Sequence, residues 1–160
     1  MENIIYQPIG FIRSPFKEIQ GTPIQPAAAK GIKGTVELFS EYLPGLKDLE
    51  EFSHLILIYH LHLSIGFSLE VVPFLDKVKR GVFATRAPKR PNSIGISVVK
   101  LIQIKENYID IENIDVVDKT PLLDIKPYIP PFEITEEVKL GWLKNVLNNV
   151  NDSKADDRFK

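Results

Sequence analysis

SVVKLIQIKENYIDIENIDVV, residues 97–117, decides the fold. Residues 97–104 and 108–117 are rich in Ile, Val, Leu and Tyr. In the second run Ile109, Ile111 and, after a slip around Asn113, Asp115 and Val117 alternate with their neighbours as a half-buried strand should. The short Glu106-Asn107 connection between the two runs reads as a hairpin turn. Outward from this pair, residues 4–12, 35–39, 54–62, 81–85 and 122–125 have the same character and are separated by Pro, Gly, Asn or Asp. About seven short strands, with no helices between them long enough for βαβ crossovers, predict a mainly all-β fold. The expected architecture is a single antiparallel β-barrel with short helical segments.

One helix is predicted at the C-terminal end. Thr135 is a candidate N-cap, Glu136 and Glu137 sit in the first turn, and Val138, Trp142, Val146 and Val150 recur every four residues beside Leu140, Leu143 and Leu147. This amphipathic stripe would pack on the barrel or on a partner. The polar residues 151–160 read as a frayed tail. A barrel over 1–133 and the helix and tail at 134–160 would form one unit, since 160 residues suit a single core.

A net charge of −1 argues against a globally basic nucleic-acid coat protein, and the absence of cysteine removes thiolate nucleophiles, disulfides and Cys-based metal sites. The N-terminal residues lack the basic and apolar segments of a secretory signal, and no apolar run reaches the roughly 18 residues of a membrane span. A cytoplasmic protein without membrane attachment is expected. Nine of the twelve prolines gather in three loops, around 15–26, 88–91 and 121–131, and stiffen them as binding loops often are.

Three groups of residues can carry chemistry. His54, His60 and His62 share one face of a predicted strand, but at about 3.3 Å per residue His54 lies roughly 20 Å from His60, too far for one ion. A His60-x-His62 pair plus a carboxylate is the only metal reading left; no metal is expected. Residues 77–105 hold Lys77, Lys79, Arg80, Arg86, Lys89, Arg90, Lys100 and Lys105 with no acidic residue, a local basic window hidden by the average charge. Within it Arg86 and Arg90 are forked donors suited to phosphate or carboxylate, beside Asn92. Residues 115–130 form the third group. There Asp118 and Thr120 either bond their own turn or meet a ligand, and Asp124 and Lys126 would pair across a strand. No GxGxxG, Walker loop, GxSxG elbow or HExxH occurs.

The ordered words PIGFIRSPF (8–16), TPIQP (22–26), GL (45–46), FSHL (52–55), GVFATR (81–86), RPNSIG (90–95), DKTP (118–121) and DIKPYIP (124–130) run through residues 3–131. Through them the chain resembles the TsaA-like, or TrmO, family of β-barrel S-adenosylmethionine-dependent methyltransferases. The resemblance implies methyl transfer from S-adenosyl-L-methionine to N6 of threonylcarbamoyl-adenosine at tRNA position 37, and a homodimer with the cofactor near the subunit boundary. By the same resemblance the cofactor would contact Pro26, Ala27, Ala28, His62, Leu63, Arg86, Ile96, Asp118, Lys119, Thr120 and Pro121. Arg86, Arg90 or Asn92 would position the tRNA substrate, and no general base is implied. Two residues depart from the family pattern: Ala27 stands where many relatives have Gly, and Lys119 interrupts Asp-Gly-Thr-Pro, so either Lys119 adopts a strained positive φ or the turn differs. The competing readings are a non-catalytic S-adenosylmethionine- or tRNA-binding module and a metal-dependent barrel enzyme using His60 and His62.

Overall fold

The computed structural model describes residues 2–133, 136–146 and 154–159. Its centre is the expected hairpin. β6 (Ile94–Lys105) and β7 (Tyr108–Glu112) pair antiparallel, and Lys105 faces Tyr108 across the Glu106-Asn107 turn. Glu106 takes φ 53°, and Asn107 ties the turn to β2 (Lys33–Leu38), accepting from Leu38 N at 2.9 Å and donating from Nδ2 to Leu38 O at 3.1 Å.

With β1 (Gly10–Arg13), β3 (His54–His60) and β8 (Thr120–Pro127), these strands close an antiparallel barrel in the order β1-β2-β7-β6-β3-β8, β8 returning to β1. Six strands close the barrel rather than seven. The short strands β4 (Glu70–Val71) and β5 (Arg80–Gly81) form a separate ribbon. Closure removes the exposed edges an open sheet would present. The inward residues of each strand, including Ile12, Val36, Leu55, Leu57, Val99, Ile109, Ile111 and Leu122, fill the interior. On β3 the odd positions face in and the even ones, His54 and His60 among them, face out, which is the strand period at work.

Four expectations need correction. The strand expected over 4–12 pairs only from Gly10; Ile4, Ile5 and Tyr6 are exposed. The strand expected over 81–85 ends at Gly81, because the Thr85 N–H and hydroxyl both turn back to Val82 O and make residues 82–84 a single 3-10 turn. The strand expected to reach Val117 stops at Glu112: Asn113 adopts φ 69° and shifts the phase, so Ile114 and Val116 become the buried residues.

The C-terminal helix is the fourth. Thr135, Leu147 and Val150 lie outside the described residues, and over 136–146 only a 3-10 turn, Gly141–Asn145, forms. Gly141 takes φ 57°, which an α-helix cannot contain, and the Trp142 indole donates to Ala84 O at 2.8 Å. Nor do residues 154–159 fray: Ala155 N donates to Thr22 O, Gly21 N donates to Ala155 O, and Phe159 is buried against Phe74. An apolar ring at the end of a polar segment drives this return. Among the described residues no helix is long and apolar enough to cross a membrane.

Candidate functional site

At the end of the barrel where β3 finishes and β6 and β8 begin, a cavity of about 310 Å³ opens between the loops at 19–25, 61–64 and 85–90. That is the low end of the range for small-ligand sites. Its wall is largely apolar, from Leu61, Leu63, Ile94 and Ile96, and its polar groups include Gln25, Tyr59, His62, Ser64, Arg86, Arg90, Asp115 and Thr120.

Two of those positions, Tyr59 and Asp115, are joined below the surface through Ser97. Tyr59 on β3 and Ser97 on β6 are buried, their oxygens 2.9 Å apart, and Ser97 Oγ donates to Asp115 Oδ1 at 2.5 Å. Burial pushes the Asp115 carboxyl up to about 6, against the opposing pulls of the Ser97 hydrogen bond, its own backbone N–H and the Arg86 charge. Burial, reinforced by the Asp115 charge, likewise holds the Tyr59 phenol well above its ordinary range. His62 is lowered by burial and by neighbouring His60, which favours the neutral ring. Arg86 donates to Gln25 Oε1 at 3.0 Å, so its cation is held at the cavity rim. Ser64 Oγ, at the wall, is buried with no hydrogen-bond partner among the described residues.

The residues singled out from sequence divide. His62, Leu63, Arg86, Ile96 and Thr120 line this cavity. Pro26 and Ala27 line a neighbouring one of about 610 Å³ with Trp142, and the two share Ile24, Gln25, Phe74, Thr85, Arg86 and Phe159 as a common wall. Ala28 belongs to the same 3-10 turn, Pro26–Ala29, but lines neither. Asp118 faces elsewhere: its Oδ1 accepts from Ser14 N at 3.1 Å and its Oδ2 from Lys17 Nζ at 2.7 Å. Lys119 is exposed with φ 62°, so the turn keeps the left-handed conformation despite the lysine. Pro121 sits opposite Phe11 in the β1–β8 ladder.

Of the positioning candidates only Arg86 presents its charge to the cavity polar groups. Arg90 also lines the wall, but its Nη1 donates to Val82 O at 3.0 Å and Thr85 O at 2.8 Å, which makes it a staple of the 82–90 loop. Asn92 is exposed and outside the lining. The basic window is also partly neutralised from outside: Arg80 pairs with Asp76 at 2.8 Å and Lys100 with Glu112 at 3.7 Å. Asp124 and Lys126 do pair, at 2.6 Å. Among the described residues no three His, Asp or Glu side chains converge as a metal-ligand set.

Tyr59, Ser64 and Ser97 are polar residues of the site to which the sequence attaches no chemistry, and Asp115 enters there only as an alternating strand residue at the head of the 115–130 group. The available signal was Tyr59 itself, an inward position of β3 in phase with Leu55 and Leu57. Chemically, the arrangement offers a carboxylate in an apolar cavity, able to balance a cation or take a proton, and an arginine at the rim able to hold an anion.

The family described as the tRNA-methyltransferase O N-terminal domain matches residues 11–134. A probable S-adenosyl-L-methionine-binding protein of Pyrococcus abyssi is 54% identical over 156 residues, covering 98% of this chain and 85% of that one. The human tRNA (adenine(37)-N6)-methyltransferase is 34% identical over 143 residues, 85% of this chain but 32% of its own length. Among solved structures, TrmO from Pseudomonas aeruginosa superposes with a TM-score of 0.74 at 38% identity, covering 88% of this chain and 62% of that one. The chain therefore spans most of the archaeal relative and less than two thirds of the bacterial and human proteins.

Proposed function

Because this chain belongs to the tRNA-methyltransferase O N-terminal domain family, we propose that it is an S-adenosyl-L-methionine-dependent tRNA N6-adenosine methyltransferase, acting on threonylcarbamoyl-adenosine at position 37. The observation that carries this reading is the paired cavity with Arg86 on its shared wall. Of the expected cofactor residues, His62, Leu63, Ile96 and Thr120 line one cavity and Pro26 and Ala27 the other, which supports one extended ligand crossing the wall, while Ala28, Asp118, Lys119 and Pro121 line neither.

The donor set fits the cofactor. Leu63 and Ile96 offer apolar surface, and the buried Ser64 hydroxyl supplies an unpaired polar group. When bound, S-adenosylmethionine supplies an electrophilic methyl group on a positively charged sulfur. The protein's part is then chiefly alignment, which proximity and orientation make effective without a protein nucleophile. Arg86 is the residue we assign to an anionic group of the substrate, a phosphate or the threonyl carboxylate. Asp118 supports the site from behind, by fixing the turn that carries Thr120 to the Ser14 backbone.

Exposed Leu63, Ile65, Phe67, Phe83 and Ile96 support the homodimer reading, with the second copy covering this rim. Sedimentation at micromolar concentration checks it: a monomer there counts against a dimeric site. The function itself is tested by incubating the protein and labelled cofactor with tRNA carrying or lacking the threonylcarbamoyl group, then nucleoside mass spectrometry. Methylated threonylcarbamoyl-adenosine is expected from the modified tRNA alone. Binding without transfer would leave a cofactor-binding module, and methylation of a different nucleoside would defeat the substrate assignment.

A further inference from the structure

Asp115, Ser97 and Tyr59 form a directional chain. A serine hydroxyl has one hydrogen, and at 2.5 Å that of Ser97 goes to Asp115 Oδ1; the Tyr59 hydroxyl must therefore donate to Ser97. Both hydrogens point toward the carboxylate, an arrangement that holds a negative charge in a fixed place. The barrel has no packing need for a carboxylate here, since its sequence neighbours Ile114 and Val116 are the ones buried in the core. Asp115 lines the cavity instead, within an apolar wall. Methyl transfer to an amine releases one proton, and none of the expected site residues receives it.

We propose that Asp115 is the proton acceptor for the N6 amine, with Ser97 and Tyr59 as positioning residues that hold its carboxylate at the cavity; this rests on the methyl-transfer reading above. In the reaction the N6 lone pair forms the new nitrogen–carbon bond while the carbon–sulfur pair stays with sulfur, which becomes a neutral thioether. The N6 proton passes to Asp115 and then to solvent. An N6 bearing a carbamoyl group is more acidic than a plain adenine amine, so a carboxylate suffices as acceptor. Burial raises the Asp115 carboxyl to about 6, close to the working range that favours a general base. The charged and titratable groups facing it are Arg86, Tyr59, His62 and Arg90, from the loop at 85–90 and from β3 and the turn after it.

The test uses the full chain and the tRNA that the wild type methylates. Asp115→Asn is expected to bind S-adenosylmethionine within about threefold of wild type by calorimetry, while its single-turnover rate falls by roughly 10²- to 10⁴-fold. Wild-type kcat/KM should rise with pH through about 6. Ser97→Ala should move that rise to higher pH, because the Ser97 hydrogen bond is the largest of the pulls that draw the carboxyl down. Carbon-13 NMR of the Asp115 carboxyl, read without tRNA, should show the same upward movement. Wild-type turnover in Asp115→Asn, or an unmoved midpoint in Ser97→Ala, overturns the assignment. If Asp115→Asn fails to fold, the Ser97→Ala midpoint decides. A wild type that binds cofactor but methylates no tRNA defeats the methyl-transfer reading, whereas an active wild type with an equally active Asp115→Asn defeats only this role.

Discussion

Gly95 of β6 stands directly opposite Tyr59 of β3, and a Cβ at residue 95 would lie 2.1 Å from Tyr59 Cε2 and 2.6 Å from Cζ. The glycine is a clearance for the ring that lets the phenol reach Ser97. Tyr59 is buried, so its ring has little room to retreat. Gly95→Ala should displace the ring, break the Tyr59–Ser97 contact and cost about 1–3 kcal/mol, the usual penalty for overpacking. Urea denaturation measures the loss; an alanine variant as stable as wild type would refute the steric account.

The C-terminal return makes a second prediction. Phe159 meets Phe74 edge-on at 4.9 Å between centroids, in a cluster with Val71, Val82 and Ala87 that is separate from the barrel core. Arg158 secures it by donating to Pro73 O at 2.8 Å. Phe159 also lines both cavities. Phe159→Ala should therefore loosen this cluster by about 3 kcal/mol, within the range for truncating a buried aromatic, and weaken cofactor binding. Hydrogen exchange should quicken at 71–87 while the barrel strands stay protected. Uniform quickening across the barrel would show that the segment is part of the global core instead.

How far the sequence discloses this arrangement depends on where local pattern governs. The β6–β7 hairpin and β3 are legible because alternate residues of each strand enter one core, and the core's demand coincides with the period. Residues 138–146 have a helical period, but Gly141 and the Trp142 bond to Ala84 serve a contact 58 residues away, and tertiary context overrides propensity. Asp115 was hidden for a different reason. The left-handed step at Asn113 reverses the strand phase, so a residue that reads as one more alternation is carried to the cavity. The partner of Asp118, Ser14, is 104 residues distant and leaves no local mark.

Lys119 bears on the resemblance directly, since its φ of 62° is the conformation for which glycine is suited. A left-handed residue with a side chain costs about 1–2 kcal/mol, and glycine gives part of that back through the greater freedom of the unfolded chain. Lys119→Gly should thus raise stability by roughly 0.5–1 kcal/mol. Because the lysine is exposed and outside the cavity lining, cofactor affinity should stay the same. Paired thermal melts and calorimetry check both halves; an unchanged or lowered melting temperature would show that the turn carries no strain.

Asp118 links the same turn to pH. Burial by itself would raise its carboxyl, but the Lys17 ammonium and the Ser14 N–H outweigh that and hold it below the usual carboxylate range. A depressed carboxyl in the folded state adds stability above its unfolded pKa, and that stability is lost as pH falls through the folded value. Asp118→Asn keeps an acceptor for Ser14 but removes the charge that meets Lys17. The variant should be less stable than wild type at pH 7, and the gap should close as both are acidified below about pH 4, where the unfolded carboxyl takes up its proton. Urea melts from pH 7 to 2.5 measure it. A gap that stays constant across that range would mean that the amide disrupts the turn by shape, and that the Lys17–Asp118 charge pair contributes nothing to holding Thr120 at the cavity.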